Sequence, residues 1–515
     1  MTPEQAIPLA LSIPILGAVG ILTTWRTPNL RESITLITAA ITFALVASIF
    51  DDVMAGARPE WTMLEMLPGL SVHFVIEPLG MLFALIASFL WIVTTIYAIG
   101  YMRGHHEKNQ TRFYICFAVA IASALGIAFA GNMMTLFIFY EVLTISTFPL
   151  VTHSGTPEAK RAGRVYLGIL IGTSIALQLV AVIWTWTLTG TLDFTSGGIL
   201  KGHASEGIVA VLLAMYVFGI GKAAVMPFHR WLPAAMVAPT PVSALLHAVA
   251  VVKAGVFTVL KVTVYIFGID FLAELGSSEW LKYMAGGTIL IASLVAMRKD
   301  NLKARLAYST ISQLSYIVLA AMLANSVAAV GGGMHIAMHA FGKITLFFCA
   351  GAIMVASHKT EVSQMRGLGR KMPITFICFL IGSLSIIGLP PFGGVWSKWF
   401  IALGAAETGD VIFVAVLMIS SLLNVVYLIP IVVRGFYNDP DPGHGHDDHH
   451  HDHDDGHAVA TSPGDAGGPN QWNIRGLEEA PKACVGAIAF TAFGCLVLFF
   501  YANDLYQFLL PMVGR

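Results

Sequence analysis

The sequence has few charged residues for its length. Of 515 residues, 11% are Asp, Glu, Lys or Arg and 56% are hydrophobic, whereas about 25% of a typical soluble domain is charged. So few charges cannot cover a water-facing surface, which excludes a soluble globular protein. Apolar runs of about 20 residues recur along the whole chain, so the structural unit is the transmembrane helix.

Cysteine is scarce, and motifs for redox cofactors are missing. The five cysteines are scattered in apolar segments without a CxxC pair: Cys116, Cys349, Cys378, Cys484 and Cys495. This spacing argues against a disulfide framework, a zinc site or an iron–sulfur cluster. No GxGxxG fingerprint follows a strand. The sequence therefore predicts no cofactor, no redox centre and no nucleic-acid partner. The N-terminus, Met1 to Gln5, lacks the basic region of a cleavable signal.

Continuous apolar runs predict an all-α membrane protein with about 14 spans, because the alternating strands of a barrel would look different. The predicted spans lie near 6–24, 33–50, 77–101, 113–130, 132–151, 165–190, 208–226, 239–267, 283–297, 306–323, 331–357, 374–401, 410–433 and 483–502.

Basic residues alternate between the two sides of the predicted bundle. The loops after odd-numbered spans hold 20 Lys or Arg residues, whereas those after even-numbered spans hold only Arg58, Lys201 and Lys282. Short cytoplasmic loops collect basic residues. We therefore expect the odd loops to be cytoplasmic and both termini to lie on the outer side of a bacterial inner (plasma) membrane.

Six ionisable residues remain inside apolar runs after the loop charges are assigned: Glu141, Lys222, Lys253, Lys261, Lys343 and Lys398. Each costs roughly 2.5–3.5 kcal/mol at bilayer depth on insertion scales. Lys261 lies near a span end, so we interpret it as reaching the membrane interface along its apolar stem. For the mid-span groups, a polar path inside the bundle is the better interpretation.

Histidines accompany these lysines. His335, His339 and Lys343 recur at every fourth residue, on one stripe of a helix, and His247 precedes Lys253 by six residues. A lone intramembrane histidine is commonly a packing residue, but three titratable groups on one stripe favour proton exchange. Zinc is a weaker alternative, since that helix offers no cysteine or carboxylate at suitable spacing.

Glycine and proline interrupt two apolar segments beside a lysine. One is VFGIGKAAVMPFHRWLPAAMVAPTPVS, with Lys222, and the other is SLSIIGLPPFGGVWSKWF, with Lys398. Broken helices at corresponding positions of two halves are typical of inverted-repeat transporters. Plain helix kinking is the alternative. The segments fall in the seventh and twelfth predicted spans, five spans apart, which predicts broken helices 7 and 12 and an inverted repeat with a five-span offset.

Five ordered motifs resemble the antiporter-like subunits of respiratory complex I and of Mrp-type cation/proton antiporters. They are FYEVLTISTFPLV around Glu141, the stretch from Gly221 to Gly255, NLKARLAYSTISQLSYI, HIAMHAFGKITLFF and GLPPFGGVWSK. The resemblance covers roughly residues 75–436. It implies a fourteen-helix bundle with two inverted five-helix repeats, spans 4–8 and 9–13. It also implies partner membrane subunits and proton transport, with sodium or potassium as candidate coupled ions.

The resemblance also implies roles for individual residues. Glu141 resembles the glutamate that pairs with the lysine of the seventh span, here Lys222. Lys253 resembles the connecting lysine, with His247 beside it. His335 and His339 resemble bridging histidines, followed by Lys343, and Lys398 resembles the terminal lysine. His229 and Trp231 match the loop after the seventh span. Met236 departs from many complex I members, which have histidine there.

These features predict a proton-translocating membrane subunit of an Mrp-type monovalent cation/proton antiporter. The alternative is a pumping subunit of a complex I-like NADH-quinone oxidoreductase, in which this chain would belong to an enzyme without carrying its redox centre. A structural membrane anchor is a third possibility, against which the six buried ionisable residues argue.

The organisation predicted along the chain has five parts. Residues 1–111 form an N-terminal three-helix segment, 112–267 the first half, 283–436 the second half, 437–481 a cytoplasmic loop and 482–515 a C-terminal helix. The loop is rich in His and Asp, which predicts disorder. Its histidines are candidate metal ligands, with a solvated linker as the alternative: His444, His446, His449, His450, His451 and His453.

Overall fold

A computed structural model describes residues 2–439, 472–474 and 477–514 of the chain. Within them the backbone is mostly helical. The helices are α1 (Pro3–Thr23), α2 (Pro28–Ala47), α3 (Phe50–Met54), α4 (Pro78–Gly104), α5 (Gln110–Phe129), α6 (Met133–Val151), α7 (Pro157–Thr173), α8 (Val180–Thr189), α9 (Glu206–Gly219), α10 (Trp231–Ala234), α11 (Thr240–Ala244), α12 (Val251–Val262), α13 (Ile269–Leu275), α14 (Glu279–Arg298), α15 (Leu302–Met322), α16 (Ser326–Ser357), α17 (Leu368–Lys371), α18 (Pro373–Ile387), α19 (Gly394–Glu407), α20 (Val411–Tyr437), α21 (Lys482–Phe500) and α22 (Ala502–Leu509).

Two small antiparallel hairpins accompany the helices. One pairs β1 (Glu60–Leu67) with β2 (Leu70–Val75), and the other pairs β3 (Trp472–Ile474) with β4 (Leu477–Glu479). The first hairpin continues into the bundle, because Phe74 forms a bridge with Ala130 at the end of α5.

Ten helices of the described residues are long and apolar enough to cross a membrane, or eleven if the bent pair Val251–Phe267 and Ile269–Leu275 is one span. This agrees with an all-α membrane protein. Four predicted spans fall outside the ten. The seventh, eighth and twelfth are broken into shorter helices, and the tenth, α15, carries many hydroxyl groups. Length and hydropathy alone therefore identify fewer than the fourteen predicted spans.

Helix α16 lies at the centre of the bundle. It is 32 residues long and packs against α4, α15, α18, α19 and α21. It is apolar and almost fully buried along its length, yet it carries His335, His339 and Lys343. A helix that is apolar on all sides is an interior helix, so its few polar side chains point into the middle of the protein.

Both predicted breaks are present, and each depends on a glycine. Helix α9 ends at Gly219, and the chain at Lys222 lies so close to α12 that a Cβ at Gly255 would be 2.3 Å from the Lys222 carbonyl carbon. Helix α18 ends at Gly388, whose φ of +89° is one that residues with a side chain rarely adopt. The breaks therefore follow from close backbone approach and from left-handed geometry.

Helices α6 and α15 begin in the same way. The Asn132 side chain caps α6 and its backbone forms a bridge with Asp193, while the Asn301 side chain caps α15 and its backbone forms a bridge with Glu361. An asparagine side chain that accepts from the first free N–H groups stabilises a helix start.

Candidate functional site

Lys222 is fully buried at the break after α9. Its ammonium donates to the Tyr140 carbonyl oxygen at 2.8 Å and to Thr144 Oγ1 at 2.6 Å, and lies 3.1 Å from the centre of the Tyr140 ring. The Lys222 backbone N–H donates to the Tyr140 hydroxyl at 3.1 Å. A buried ammonium is tolerated only with such partners. One turn of α6 therefore supplies every contact of this cation described here.

Glu141 is adjacent in sequence to Tyr140 and lies near Lys222 without a direct contact. It is half-buried, and its buried Oε1 has no hydrogen-bond partner. In the described part of the chain, no carboxylate lies within ion-pair distance of Lys222. The expected Glu141–Lys222 ion pair is therefore not closed in this structure, and the Lys222 ammonium contacts Tyr140 and Thr144.

A direct contact between Lys253 and His339 joins the predicted first half to the predicted second half. Lys253 Nζ, on α12, lies 2.6 Å from Nδ1 of His339, on α16, and both side chains are buried. One turn earlier on α16, the His335 ring lies 5.7 Å from that of His339, centre to centre. The Nε2 atoms of both histidines are buried without a hydrogen-bond partner. These atoms are available for further proton exchange.

His335 continues the cluster toward the second break. Its Nδ1 lies 2.8 Å from Ser397 Oγ, and its ring stacks on Tyr316 at 5.6 Å. The neighbouring Lys398 donates to the carbonyl oxygens of Ile386 at 2.7 Å and Ile387 at 3.0 Å, and to Ser421 Oγ at 3.2 Å. The end of a broken helix leaves carbonyl oxygens without partners, and here they bind the ammonium.

Lys343 forms a separate branch on α16. Its ammonium donates to Ser309 Oγ at 2.6 Å, and Ser309 also accepts a hydrogen bond of 2.8 Å from the Tyr427 hydroxyl. Tyr427 in turn contacts Asn424. This chain of hydroxyl groups runs from α16 through α15 to α20, and all four side chains are buried.

The residues near the seventh break to which the resemblance gives a role differ in their surroundings. Trp231 is buried, and its indole N–H donates to the Gly221 carbonyl at 3.0 Å, which caps the break beside Lys222. His229 is half-buried and its ring lies 6.3 Å from that of Tyr308. Burial lowers the pKa of His229. The backbone of His247 lies in a π-helical turn, Leu245–Val249, and its side chain is outside the described residues.

The structure contradicts the interpretation of Lys261 as a residue that reaches the membrane interface. It is 1% exposed, its Nζ lies 2.7 Å from Glu77 Oε1, and it donates to the Ala130 carbonyl at 2.7 Å. Glu77 precedes the first proline of α4 and is itself buried. The prediction was wrong because Lys261 faces Glu77 and the Ala130 carbonyl inside the bundle, contacts that the sequence pattern did not show.

The candidate metal ligands of the histidine-rich loop, residues 444–453, lie outside the described residues. Within the described ranges no group of three or more His, Cys, Asp or Glu side chains is arranged to hold a metal ion. The cluster around His335 and His339 contains lysines rather than carboxylates. Its chemistry is therefore that of bases which can gain and lose protons.

Several residues that hold the buried lysines were not predicted. They are Tyr140, Thr144, Ser309, Tyr316, Ser397, Tyr427 and Glu77. Tyr140 and Thr144 are spaced four residues apart on α6, a spacing that puts both on one face. This spacing was visible in the sequence, but the direction of that face was not.

Comparison with known proteins identifies the relatives of this chain. Residues 130–424 match the family described as "NADH:quinone oxidoreductase/Mrp antiporter, TM". Residues 64–114 match "NADH-Ubiquinone oxidoreductase (complex I), chain 5 N-terminus". The first match spans more than half of the chain and contains Glu141 and the five lysines that lie inside apolar runs.

Individual relatives bear both kinds of name. NADH-quinone oxidoreductase subunit N of Desulforudis audaxviator is 32% identical over 400 residues, which are 76% of this chain and 76% of that protein. NAD(P)H-quinone oxidoreductase chain 5 of Synechocystis is 32% identical, over 75% of this chain and 59% of that protein. A probable K(+)/H(+) antiporter component of Rhizobium meliloti is 30% identical over 78% of this chain but only 40% of that protein.

Solved structures share the fold. A chain of the Mrp complex from Dietzia sp. matches 100% of this chain and 97% of its own length, with a TM-score of 0.84 and 22% identity. A chain of the archaeal membrane-bound sulfane sulfur reductase matches 99% and 98%, with a TM-score of 0.82 and 22% identity. Both belong to multisubunit membrane complexes.

Proposed function

The chain belongs to the NADH:quinone oxidoreductase/Mrp antiporter transmembrane family, and from this membership we propose that it translocates protons as a membrane subunit of an Mrp-type monovalent cation/proton antiporter. The observation that carries the proposal is the 2.6 Å contact between Lys253 and His339. It connects a lysine of the first half with the histidine pair of the second. Protons pass between groups that touch in this way.

The proposed relay runs through Glu141, Lys222, Lys253, His339, His335 and Lys398. Water that hydrates the polar groups at the breaks links Lys222 to Lys253 and His335 to Lys398, as is common where irregular backbone lines an interior cavity. Lys343 and His247 serve as side branches. His229 lies at the loop where the relay reaches the basic side of the bundle.

Glu141 acts as the control element of the proposed relay. Its half-buried carboxylate lies beside the Tyr140–Thr144 turn that holds Lys222, and its free Oε1 is available for an ion pair. Formation of that pair favours the protonated lysine, and separation favours release of the proton toward Lys253. A neighbouring subunit that moves Glu141 would thereby drive the relay, which requires two alternative states of the break.

We further assign the chain fourteen spans and two inverted repeats, residues 112–267 and 283–436. The matched starts of α6 and α15 support this division, since Asn132 and Asn301 cap their helices and form equivalent bridges. The basic loops favour a bacterial plasma membrane location with both termini on the outer side. The partners are other membrane subunits, and sodium or potassium is the proposed exchanged ion.

A second candidate is a proton-pumping subunit of a complex I-like NADH-quinone oxidoreductase. The relative named subunit N favours it, because the match covers three quarters of both proteins. Purification of the native complex separates the two candidates. Flavin and iron–sulfur absorbance in the purified complex would support the redox complex, and small hydrophobic subunits without chromophores would support the antiporter.

The relay itself is tested by breaking the contact between the halves. In membrane vesicles that contain the native complex, Lys253→Met should reduce proton flux by roughly a hundredfold, the low end of the effect of losing a positioned proton-transfer group. Lys201→Met is the matched control, because Lys201 is an exposed lysine on the same chain. Normal flux in Lys253→Met, with normal amounts of complex, would overturn the proposal.

A further inference from the structure

The Glu77–Lys261 pair is a buried ionisable site that the relay above does not include. Its two charged atoms lie 2.7 Å apart, and Lys261 is 1% exposed while Glu77 is 8% exposed. Removal of two charges from water costs several kcal/mol per ion, so a buried pair adds little to stability. An apolar pair of similar volume would pack equally well. The presence of two charged groups here therefore points to a function other than packing.

The surroundings of the pair contain groups of three kinds. Lys261 Nζ donates to the Ala130 carbonyl at 2.7 Å and lies 4.5 Å from the centre of the Phe194 ring. The Tyr265 hydroxyl faces the Glu77 carboxylate. The Glu77 carboxylate thus lies between a cation and a hydroxyl, each of which can exchange a proton with it.

The pair lies between the relay and one end of the bundle. Lys261 is eight residues after Lys253 on α12, about 12 Å along the helix axis. Beyond it, the segments that follow even-numbered predicted spans meet one another. Phe74 bridges Ala130, Asn132 bridges Asp193, and Ile199 donates to the Ile266 carbonyl. The exposed pair Lys201–Glu274 lies in the same group of segments.

Helix α12 is also framed by two irregular turns. The π-helical turn Leu245–Val249 precedes Lys253, and the π-helical turn Thr263–Phe267 follows Lys261. Such turns are frequent at functional sites, since they free backbone groups and change the direction of side chains. Both buried lysines of this helix thus lie within one turn of such an irregularity.

We infer that Glu77 and Lys261 form the proton-transfer site between the relay at Lys253 and the outer-side loops. This inference rests on the proposed function. In the outward direction, neutral Lys261 takes a proton through water from protonated Lys253, which becomes neutral. The Lys261 ammonium then gives its proton to Glu77, which becomes a neutral acid. Glu77 releases the proton to outer water and is a carboxylate again.

The decisive variant is Lys261→Arg. Arginine keeps the positive charge and the ion pair with Glu77, but it does not lose its proton in a protein. We expect this variant to assemble normally and to transport protons roughly a hundredfold more slowly, as for loss of a positioned acid or base. A pair that only ties the loops together would leave the flux of Lys261→Arg unchanged, and that result would overturn the inference.

Glu77→Gln provides a second measurement. Glutamine has nearly the same shape but cannot carry a proton, so flux in vesicles should fall and lose its dependence on outer pH, while the dependence on inner pH remains. Flux is expressed per assembled complex, so this variant decides the question if Lys261→Arg assembles poorly. Lys201→Gln with Glu274→Gln is the matched control, since it removes an exposed ion pair of 3.1 Å from the same end.

The Lys253→Met variant distinguishes the two proposals. If it loses flux while Lys261→Arg and Glu77→Gln keep wild-type flux and pH dependence, only the outer-side site is wrong. If all three variants keep wild-type flux, the relay itself is wrong.

Discussion

Lys222 and Lys398 both lie at a break in an apolar helix, yet different parts of the fold hold them. The Lys222 ammonium contacts a hydroxyl, a carbonyl and an aromatic ring, all from one turn of α6. The Lys398 ammonium contacts two carbonyl oxygens from the end of α18 and the hydroxyl of Ser421, and it lies 4.9 Å from the centre of the Tyr316 ring. The first lysine therefore depends on one turn of another helix, and the second depends mainly on its own broken helix.

The two halves also differ in acid content. Glu141 lies next to the turn that holds Lys222, whereas α15, which starts in the same way as α6, presents buried hydroxyl groups such as Ser309 and Ser312. Hydroxyl groups accept and donate hydrogen bonds without carrying a charge. The predicted first half thus has a carboxylate that can stabilise the protonated form of its lysine by charge. In the predicted second half, the hydroxyl groups of α15 can act only through hydrogen bonds.

Removal of the two lysines should give the largest effect. Lys222→Ala and Lys398→Ala should each lower proton flux by roughly a hundredfold, because each removes a proton-carrying group. The measurement is proton flux per assembled complex in vesicles, with exposed Lys160→Ala as control. Wild-type flux in either variant would show that its lysine does not belong to the relay.

Removal of one hydroxyl ligand should affect the Lys222 site more than the Lys398 site. Thr144→Val removes one of two oxygen ligands of Lys222, and we expect about a tenfold loss of flux, since a hydrogen bond to a charged group contributes about 1.5–3 kcal/mol. Ser421→Ala leaves both carbonyl ligands of Lys398, so about a threefold loss is expected. Equal losses in the two variants would show that the lysines are held alike.

The glycines at the breaks should give the smallest functional effects but measurable changes in stability. Gly255→Ala places a Cβ 2.3 Å from the backbone at Lys222, and such overpacking costs about 1–3 kcal/mol. Gly388→Ala must adopt a φ of +89°, which costs about 1–2 kcal/mol. The thermal unfolding midpoint of the purified complex measures both, with Gly486→Ala, in open space, as control.

Much of the fold could be predicted from the sequence, because long apolar runs and Gly/Pro interruptions have direct physical meaning. The breaks beside Lys222 and Lys398 are examples. The π-helical turns around α12 were not predicted, since they have no signature in composition. The burial of Lys261 was missed because its partner Glu77 lies far away in the sequence.

The partners of the buried lysines were harder to predict than their positions. Helical periodicity tells which residues share a face, but not toward which neighbour that face turns. Lys222 was expected to pair with Glu141, and the sequence did not show that Tyr140 and Thr144 supply its direct contacts. Glu77 precedes a proline at a helix start and resembles an ordinary loop acid. Its contact with Lys261 depends on residues 184 positions away, which no local pattern reports.

The length of α16 has an electrical consequence. Its 32 residues extend about 48 Å, more than the roughly 30 Å hydrocarbon core of a bilayer, and His339 lies near its midpoint. In the proposed relay, a proton that reaches His339 from either side would cross about half of the membrane voltage, roughly 1.2 kcal/mol per 100 mV. The Lys253–His339 contact would then be the point at which the membrane potential acts equally on proton uptake and on proton release.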